Sequence, residues 1–329
     1  MSGVRQQVVA RDEDGMRLDR WFATHFPDIG FGRLQKLIRT GQVRVDSGRV
    51  KTNTRLESGQ VVRVPPREDV PERPDAPKPM PADASFLRSI ILYEDDDLYV
   101  FNKPHGLASQ GGSGTTRHMD GLLKSLPNKK GETPRLVHRL DRDTSGCLVV
   151  AKTRQAASHF GEVFRSRSAR KIYWAVVAGN PQPKQGRISC FLAKQPTRDG
   201  EQMVVVENGA PDAVHSMSYY SVTDIASRRF AWVTLKPVTG RTHQLRVHMA
   251  QLGTPIIGDP RYFNIENWEP AEGLGEGLHL HARRISLPLR SGGRLDVSAP
   301  LPPHIAQTFE ALGFDAERYD AQDEDPEEA

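Results

Sequence analysis

One carboxylate, Asp141, stands among basic side chains in the stretch 136–153, LVHRLDRDTSGCLVVAKT. Ionised and directed by a neighbouring cation, such a group could act as a nucleophile. Asp143 offers a second chemistry, since two carboxylates on one strand face can serve as acid and nucleophile in glycoside cleavage. Nothing elsewhere in the chain supports a sugar site. The plain alternative is an Asp and an Arg decorating the surface of a hairpin.

A reactive carboxylate needs elements that aim it. Leu136, Val137 and Leu140 before it, and Leu148 to Ala151 after it, form branched apolar runs too short for helices, which predicts strands. Asp143, Thr144, Ser145 and Gly146 between them carry turn chemistry. Asp141 then sits at a strand end entering a turn. Alternation puts His138 and Leu140 on one face and Arg139 with Asp141 on the other, a guanidinium beside the carboxylate.

With 329 residues the chain can build a catalytic core and a smaller domain. Its net charge of +4 hides a division: residues 315–329 hold eight acidic side chains against Arg318, a net −7, so the remainder carries +11. That balance suits a polyanionic partner. Two cysteines, Cys147 and Cys190, without CxxC spacing, point to a reducing compartment and away from structural zinc. No apolar run is long enough for a signal peptide or a membrane span, so a soluble cytoplasmic protein that touches no membrane is expected.

From Gly15 to Pro65 there are ten Lys or Arg against four Asp or Glu. Leu18, Trp21, Phe22 and His25 fall at helical spacing, as do Leu34, Leu37 and Ile38 after a break at 27–32. Arg33, Lys36 and Thr40 lie on the opposite side of the second helix, where they could meet phosphates. Val43 to Val45, a turn at Asp46-Ser47-Gly48, and Val61 to Val64 read as strands. Residues 65–81 contain seven prolines and no aromatic residue, an extended semi-rigid linker.

Beyond the linker, Ile90 to Tyr93 and Leu98 to Asn102 read as strands, followed by Asn102-Lys103-Pro104-His105-Gly106. Lys103 there reads as a solvated charge with no catalytic role. The Gly-rich stretch 110–114 lacks both phosphate-loop and dinucleotide spacing, so no nucleotide cofactor is indicated. A helix at 155–166 leads through Arg165, Arg167, Arg170 and Lys171 into the strand Ile172 to Val177. There Tyr173 and Ala175 share one face and Trp174, a core residue, takes the other. A further helix follows Gly240, with Thr242 as its cap, Gly253 at its end, and Leu245, Met249 and Leu252 as its buried stripe. His243 and His248, like His279 and His281, read as satisfied structural histidines rather than metal ligands.

Four of these stretches together resemble a known family. HRLDRDTSG, the NKPxG segment, KIYWAVVAG and GRTHQLRVHMAQLG followed by PIIGDPRYF resemble the RluA-type pseudouridine synthases. RLDRWF, LQKLIRTGQVRVDSGRV and LESGQVVRV resemble the S4 (αL-type) RNA-binding domain, with Asp46-Ser47-Gly48 departing from its Asn-Gly-like turn. The resemblance spans about residues 15 to 312. It implies an α+β chain: an N-terminal arm at 1–14, an S4 domain at 15–65, a Pro-rich linker at 66–85, a catalytic domain at 86–312 and a disordered acidic tail at 313–329. The catalytic domain would have a central mixed, mainly antiparallel sheet flanked by helices and loops.

By the same resemblance Asp141 is the nucleophile, Tyr173 lines the uridine pocket, and Arg246 pairs with Asp141. Converting uridine to pseudouridine breaks the bond from C1′ to N1 and joins C1′ to C5, so neither redox cofactor nor metal is needed. Asp141 would attack C1′ or C6, or assist a glycal intermediate. Arg246 as a bidentate partner would favour its ionisation. A paired uridine must first be flipped out, and Arg139 resembles the residue that fills the vacated stack. Arg241, and in the S4 segment Arg33, Lys36, Arg39 and Arg44, are the RNA-contact candidates. The expected substrate is 23S rRNA or a pre-ribosomal large subunit, acted on by a monomer. A tRNA-directed synthase and a non-catalytic ribosome-assembly factor are the alternatives.

Overall fold

In the first part of the chain, short apolar runs interrupted by turn residues fold into three strands and two helices: β1 (Arg5–Val8), α1 (Leu18–His25), α2 (Phe31–Arg39), β2 (Arg44–Val45) and β3 (Val61–Val64). This computed structural model describes residues 5–26, 29–65, 81–112, 115–197 and 200–320. It divides into two units, Met1–Lys78 and Pro79–Ala329.

In the first unit α1 buries Leu18, Trp21 and Phe22, and α2 buries Leu34, against Val43, Leu56, Val62 and Val64. The strands order β1-β3-β2, all antiparallel. Residues 1–14, expected as a separate arm, include β1 and the buried Val9. Glu13 lies beneath α1, where it accepts a hydrogen bond from Trp21 Nε1 at 2.9 Å and pairs with His25. The Asp46-Ser47 turn holds both residues in the left-handed region, φ 46° and 67°. Its cost is offset where Asp46 Oδ1 accepts from Val61 N at 2.8 Å.

The second unit opens on α3 (Pro81–Ser89). Pro81 at its start suits a first helical position, which has no intrahelical use for its missing N–H. The expected linker therefore ends earlier than residue 85, and 66–80 lie outside the described residues. There follow β4 (Ile91–Glu94), β5 (Leu98–Lys103), α4 (Met119–Leu122), β6 (Arg135–Leu136), β7 (Ser145–Ala151) and α5 (Arg154–Arg165). Next come β8 (Arg170–Ala178), β9 (Gln185–Thr197), β10 (Gly200–Val206), β11 (Val214–Ala226), β12 (Phe230–Pro237) and α6 (Gln244–Gln251). The unit closes on β13 (Leu280–Pro288), β14 (Arg294–Ser298), α7 (Pro303–Leu312) and α8 (Ala316–Asp320).

Eleven of the described strands form one sheet with the path β10-β9-β11-β12-β8-β13-β7-β5-β4, β14 beside β13 and β6 beside β7. The fold is α+β with a mixed, mainly antiparallel sheet, as the sequence led us to expect. Among the described strands only β13 and β7 pair in parallel, through His281 with Ser145 and Ala282 with Gly146. Gly146, read as a turn residue, is part of β7 with φ 105°, and a Cβ there would lie 2.3 Å from Ala282 O. Only glycine allows that approach.

Every residue of β7 is buried. Cys147, Val149 and Ala151 face α5 through Ala156 and Phe160, while Leu148 and Val150 face Leu87 and Leu122 from α3 and α4. A strand covered on both faces reads as a continuous apolar run, as this one does. In the other half of the sheet, Ala175 and Val177 pack under Leu245 and Met249 of α6. Trp174 takes the opposite face with Trp232 and Phe309. The expected disordered tail is ordered through residue 320: Gly313 ends α7, Phe314 is buried, and Tyr319 meets Trp232 edge-on at 5.3 Å. Residues 321–329 lie outside the described residues.

Candidate active site

Asp141 lies in the loop between β6 and β7, and the strand expected through Leu140 ends at Leu136. Backbone that leaves a ladder needs other partners, and here side chains supply them. Ser109 Oγ donates to Leu140 O at 2.6 Å and accepts from Leu140 N at 3.0 Å. His138 Nε2 accepts from Val149 N at 2.8 Å, its ring stacked on Phe164 at 4.3 Å. Lys103 Nζ donates to the carbonyls of Arg142, Pro104 and Leu107 at 2.9, 3.0 and 2.7 Å.

Lys103 is not the solvated charge its sequence context suggested; it is fully buried. Its three N–H donors match three carbonyl acceptors. Burial draws its pKa down to about 7, while the charges of Asp143 and Asp141 oppose that fall. The residues on both sides of Asp141 are thus pinned. The Asp141 carboxylate itself makes no hydrogen bond or ion pair among the described residues.

Asp141 opens into a cavity of about 450 Å³ that Arg139, Tyr173, Arg241 and Arg246 also line. Asp143 is not among its lining residues and faces Arg142 at 3.9 Å, so the structure does not assemble a two-carboxylate glycosidase site. Burial raises the pKa of the Tyr173 phenol, and the charge of Asp141 raises it further. The ring therefore enters the cavity as a neutral phenol. Lys171, also in the lining, forms no ion pair among the described residues, and burial followed by repulsion from Arg167 lowers its pKa.

Arg246 departs from the expected pairing. Its Nε and Nη2 donate to Asp259 Oδ2 and Oδ1 at 2.7 and 2.6 Å, both side chains being buried. Burial works against the charge on Arg246, but the hydrogen bonds and charge of Asp259, then the charge of Asp141, leave its pKa raised. A guanidinium this deep needs a counterion of its own, and Asp259 supplies it. Arg246 acts on Asp141 as a neighbouring charge rather than through a bidentate bond. Asp259 is held in turn by Arg261 N at 2.9 Å and Tyr262 N at 3.2 Å.

Thr242 does not cap α6. His243 takes the cap position with φ 52°, and Thr242 Oγ1 accepts from Arg139 Nη2 at 2.6 Å. Arg139 is thus bonded to the α6 side of the cavity wall and forms no ion pair with Asp141 among the described residues. Arg241 is exposed and donates to His215 O at 3.1 Å. His243, expected to be purely structural, lines the cavity, with Nδ1 2.9 Å from Tyr262 Oη. His248, His279 and His281 are buried among neighbouring hydroxyls and carbonyls.

On the first unit Lys36 and Arg39 of α2 are exposed, while Arg33 is half-buried. Arg44 donates to Gly41 O at 3.2 Å and Ser47 O at 3.1 Å, which commits it to its own turn. Among the described residues no three His, Cys, Asp or Glu side chains gather as a metal site. No described helix is long and apolar enough to cross a membrane.

The profile of the family described as RNA pseudouridylate synthase matches residues 97–251, which include Asp141, Tyr173 and Arg246. Ribosomal large subunit pseudouridine synthase C of Salmonella typhi is 35% identical over 320 residues, 94% of this chain and 97% of that protein. RNA pseudouridine synthase 4, mitochondrial, of Arabidopsis thaliana is 34% identical over 89% of this chain and 78% of its own length. Among solved structures, human RNA pseudouridylate synthase domain containing 4 superposes with a TM-score of 0.59 at 31% identity, over 70% of this chain and 95% of that one.

Proposed function

Since the chain belongs to the RluA-type family of RNA pseudouridine synthases, we propose that it isomerises specific uridines of large-subunit ribosomal RNA with Asp141 as nucleophile. The observation that carries this reading is the convergence of Asp141, Tyr173 and Arg246 on one cavity from three separate motifs. The relatives named for the large ribosomal subunit, similar over nearly the whole chain, support the choice of RNA.

A flipped uridine enters the cavity with its sugar toward Asp141. The carboxylate, free of hydrogen bonds among the described residues, keeps its lone pairs for attack at C1′ or C6, or for assisting a glycal route, while the pinned loop fixes its direction. Arg246, held by Asp259, supplies positive charge beside it without quenching it by direct pairing. Tyr173, a neutral phenol, stacks on the uracil or donates a hydrogen bond. Arg139 leaves Thr242 to fill the gap in the RNA stack, offsetting about a few kcal/mol of flipping cost. The first unit, an S4-type module, adds phosphate contacts through Lys36, Arg39 and Arg33, and the protein works as a cytoplasmic monomer.

The test is tritium release from RNA labelled at uridine C5, which loses its hydrogen when the new bond forms. Unmodified 23S rRNA and tRNA are offered separately to wild type and Asp141→Asn. Release from rRNA by wild type alone is expected. Release from tRNA instead would transfer the assignment to that substrate, and tight binding without release would leave a non-catalytic RNA-binding factor.

A further inference from the structure

His243 sits at a place where the backbone is strained. It is a non-glycine residue at φ 52°, at the N-terminus of α6 and on the wall of the Asp141 cavity. Such conformations persist where surrounding contacts impose them, and they gather at functional sites. The contact here is Tyr262: its Oη lies 2.9 Å from His243 Nδ1. Tyr262 Oη also accepts from Met203 N at 3.2 Å. Burial holds the phenol protonated by raising its pKa.

Among the described residues that phenol proton has one acceptor, the Nδ1 of His243. A ring that accepts at Nδ1 carries its own proton on Nε2, because the bond made by one nitrogen sets the tautomer of the other. Burial lowers the pKa of His243 and so favours the neutral ring, with Asp141 and Asp259 acting in the other direction and Arg246 and Arg261 with burial. Nε2 has no partner among the described residues and is not enclosed, since His243 is absent from the buried polar atoms left without partners. The ring on the cavity wall, within reach of the Asp141 charge, therefore carries a fixed N–H donor.

We propose that this Nε2–H donates to a carbonyl oxygen of the flipped uracil, with Tyr262 as the positioning residue that fixes the tautomer. The inference rests on the reading of the Asp141 cavity as the uridine pocket. Whichever atom Asp141 attacks, the glycosidic electrons pass into the uracil when the C1′–N1 bond breaks. The departing ring carries that negative charge over N1, O2 and O4. It is consumed when C5 bonds to C1′: any bond to Asp141 breaks with its electron pair returning to the carboxylate, the C5 proton leaves to solvent, and N1 takes up a proton from solvent. A preorganised neutral donor aimed at a carbonyl stabilises charge that develops only in this step. The effect should fall on the rate of the bound complex rather than on RNA affinity.

The experiment measures single-turnover tritium release from C5-labelled, unmodified large-subunit rRNA, together with RNA affinity and thermal stability. His243→Gly removes the ring and suits the left-handed backbone, so the variant folds. Its rate should fall about 100-fold, with affinity within about twofold of wild type. His243→Gln places an amide N–H where Nε2–H stood and should recover about tenfold of that loss. Tyr262→Phe should cost about fivefold with His243 present and nothing in the Gln background. A Gln variant as slow as Gly, or Tyr262→Phe costing the same in both backgrounds, would overturn the proposal. An active wild type with an unimpaired Gly variant overturns this inference alone, whereas an inactive wild type overturns the reading of the pocket with it.

Discussion

Two ionic groups face one cavity and are held there by opposite means. Asp141 has no hydrogen bond of its own among the described residues; its position comes from the backbone on either side, which Ser109, Lys103 and His138 anchor. Arg246 rides on a regular helix and is saturated by a dedicated counterion, Asp259. The group proposed to form a bond is left unpaired among the described residues, and the group proposed only to supply charge is fully paired. Function and stability should therefore separate at the first site and coincide at the second.

The largest effect expected is at Asp141, the proposed nucleophile. Asp141→Asn should lower tritium release by at least about 10³-fold, yet leave unfolding free energy within about 0.5 kcal/mol of wild type. A large loss of stability would mean that the carboxylate has a structural partner after all. Asp259→Ala should do the reverse in kind: an unpaired buried guanidinium costs about 3–5 kcal/mol, read as a shift in urea midpoint, with activity lost through misplacement of Arg246.

Lys103→Met tests the anchor. Three carbonyls lose their donor, and a destabilisation of about 2–3 kcal/mol is expected in denaturant titration, with slower turnover and unchanged RNA affinity. Acid offers a gentler probe. His138 is held neutral with a pKa of about 3 by burial, then by the charge of Lys171. The unfolded ring binds its proton near pH 6.5 and the folded ring does not, so its contribution is complete above pH 6.5 and shrinks as pH falls toward 3. Between pH 7 and pH 5 the loss should be about 2 kcal/mol for this histidine. Comparing urea midpoints of wild type and His138→Gln at the two pH values checks it, and an equal loss in both would clear the Asp141 loop of acid sensitivity. The smallest effect is at the mouth of the cavity: Arg139→Ala should cost about tenfold on structured RNA and little on an unpaired oligonucleotide. Equal losses would remove the flipping role.

Much of this was legible because apolar strands announce themselves and charged residues inside them stand out. The run Leu148 to Ala151 reads as a strand from composition, and helical spacing reads from Leu18 to His25. Asp141, Tyr173 and Arg246 were singled out by motif, and they line one cavity. Burial was not legible at Lys103, since a lysine before a proline and a glycine looks like any turn residue until three carbonyls are seen around it. The pairing of Arg246 was misread because Asp259 lies thirteen residues on, beyond the helix, and no local periodicity links them. The end of the chain was misread because Phe314 and Tyr319 fill an aromatic cluster assembled from distant strands, while the local composition is acidic.

The parallel contact at Gly146 bears on how a mutational screen of this chain should be interpreted. Asp141 enters from the β4 to β7 side of the sheet, and Tyr173 and Arg246 from the β8 to β12 side; the two sides meet through two residue pairs beside Ala282. A single added methyl at Gly146 would press on the Ala282 backbone and move one set of cavity-lining residues relative to the other. Such a variant would score with the active-site mutants although it touches no substrate. The glycine of the DTSG signature thus acts as a spacer gauge for the whole enzyme, set by assembly rather than by chemistry.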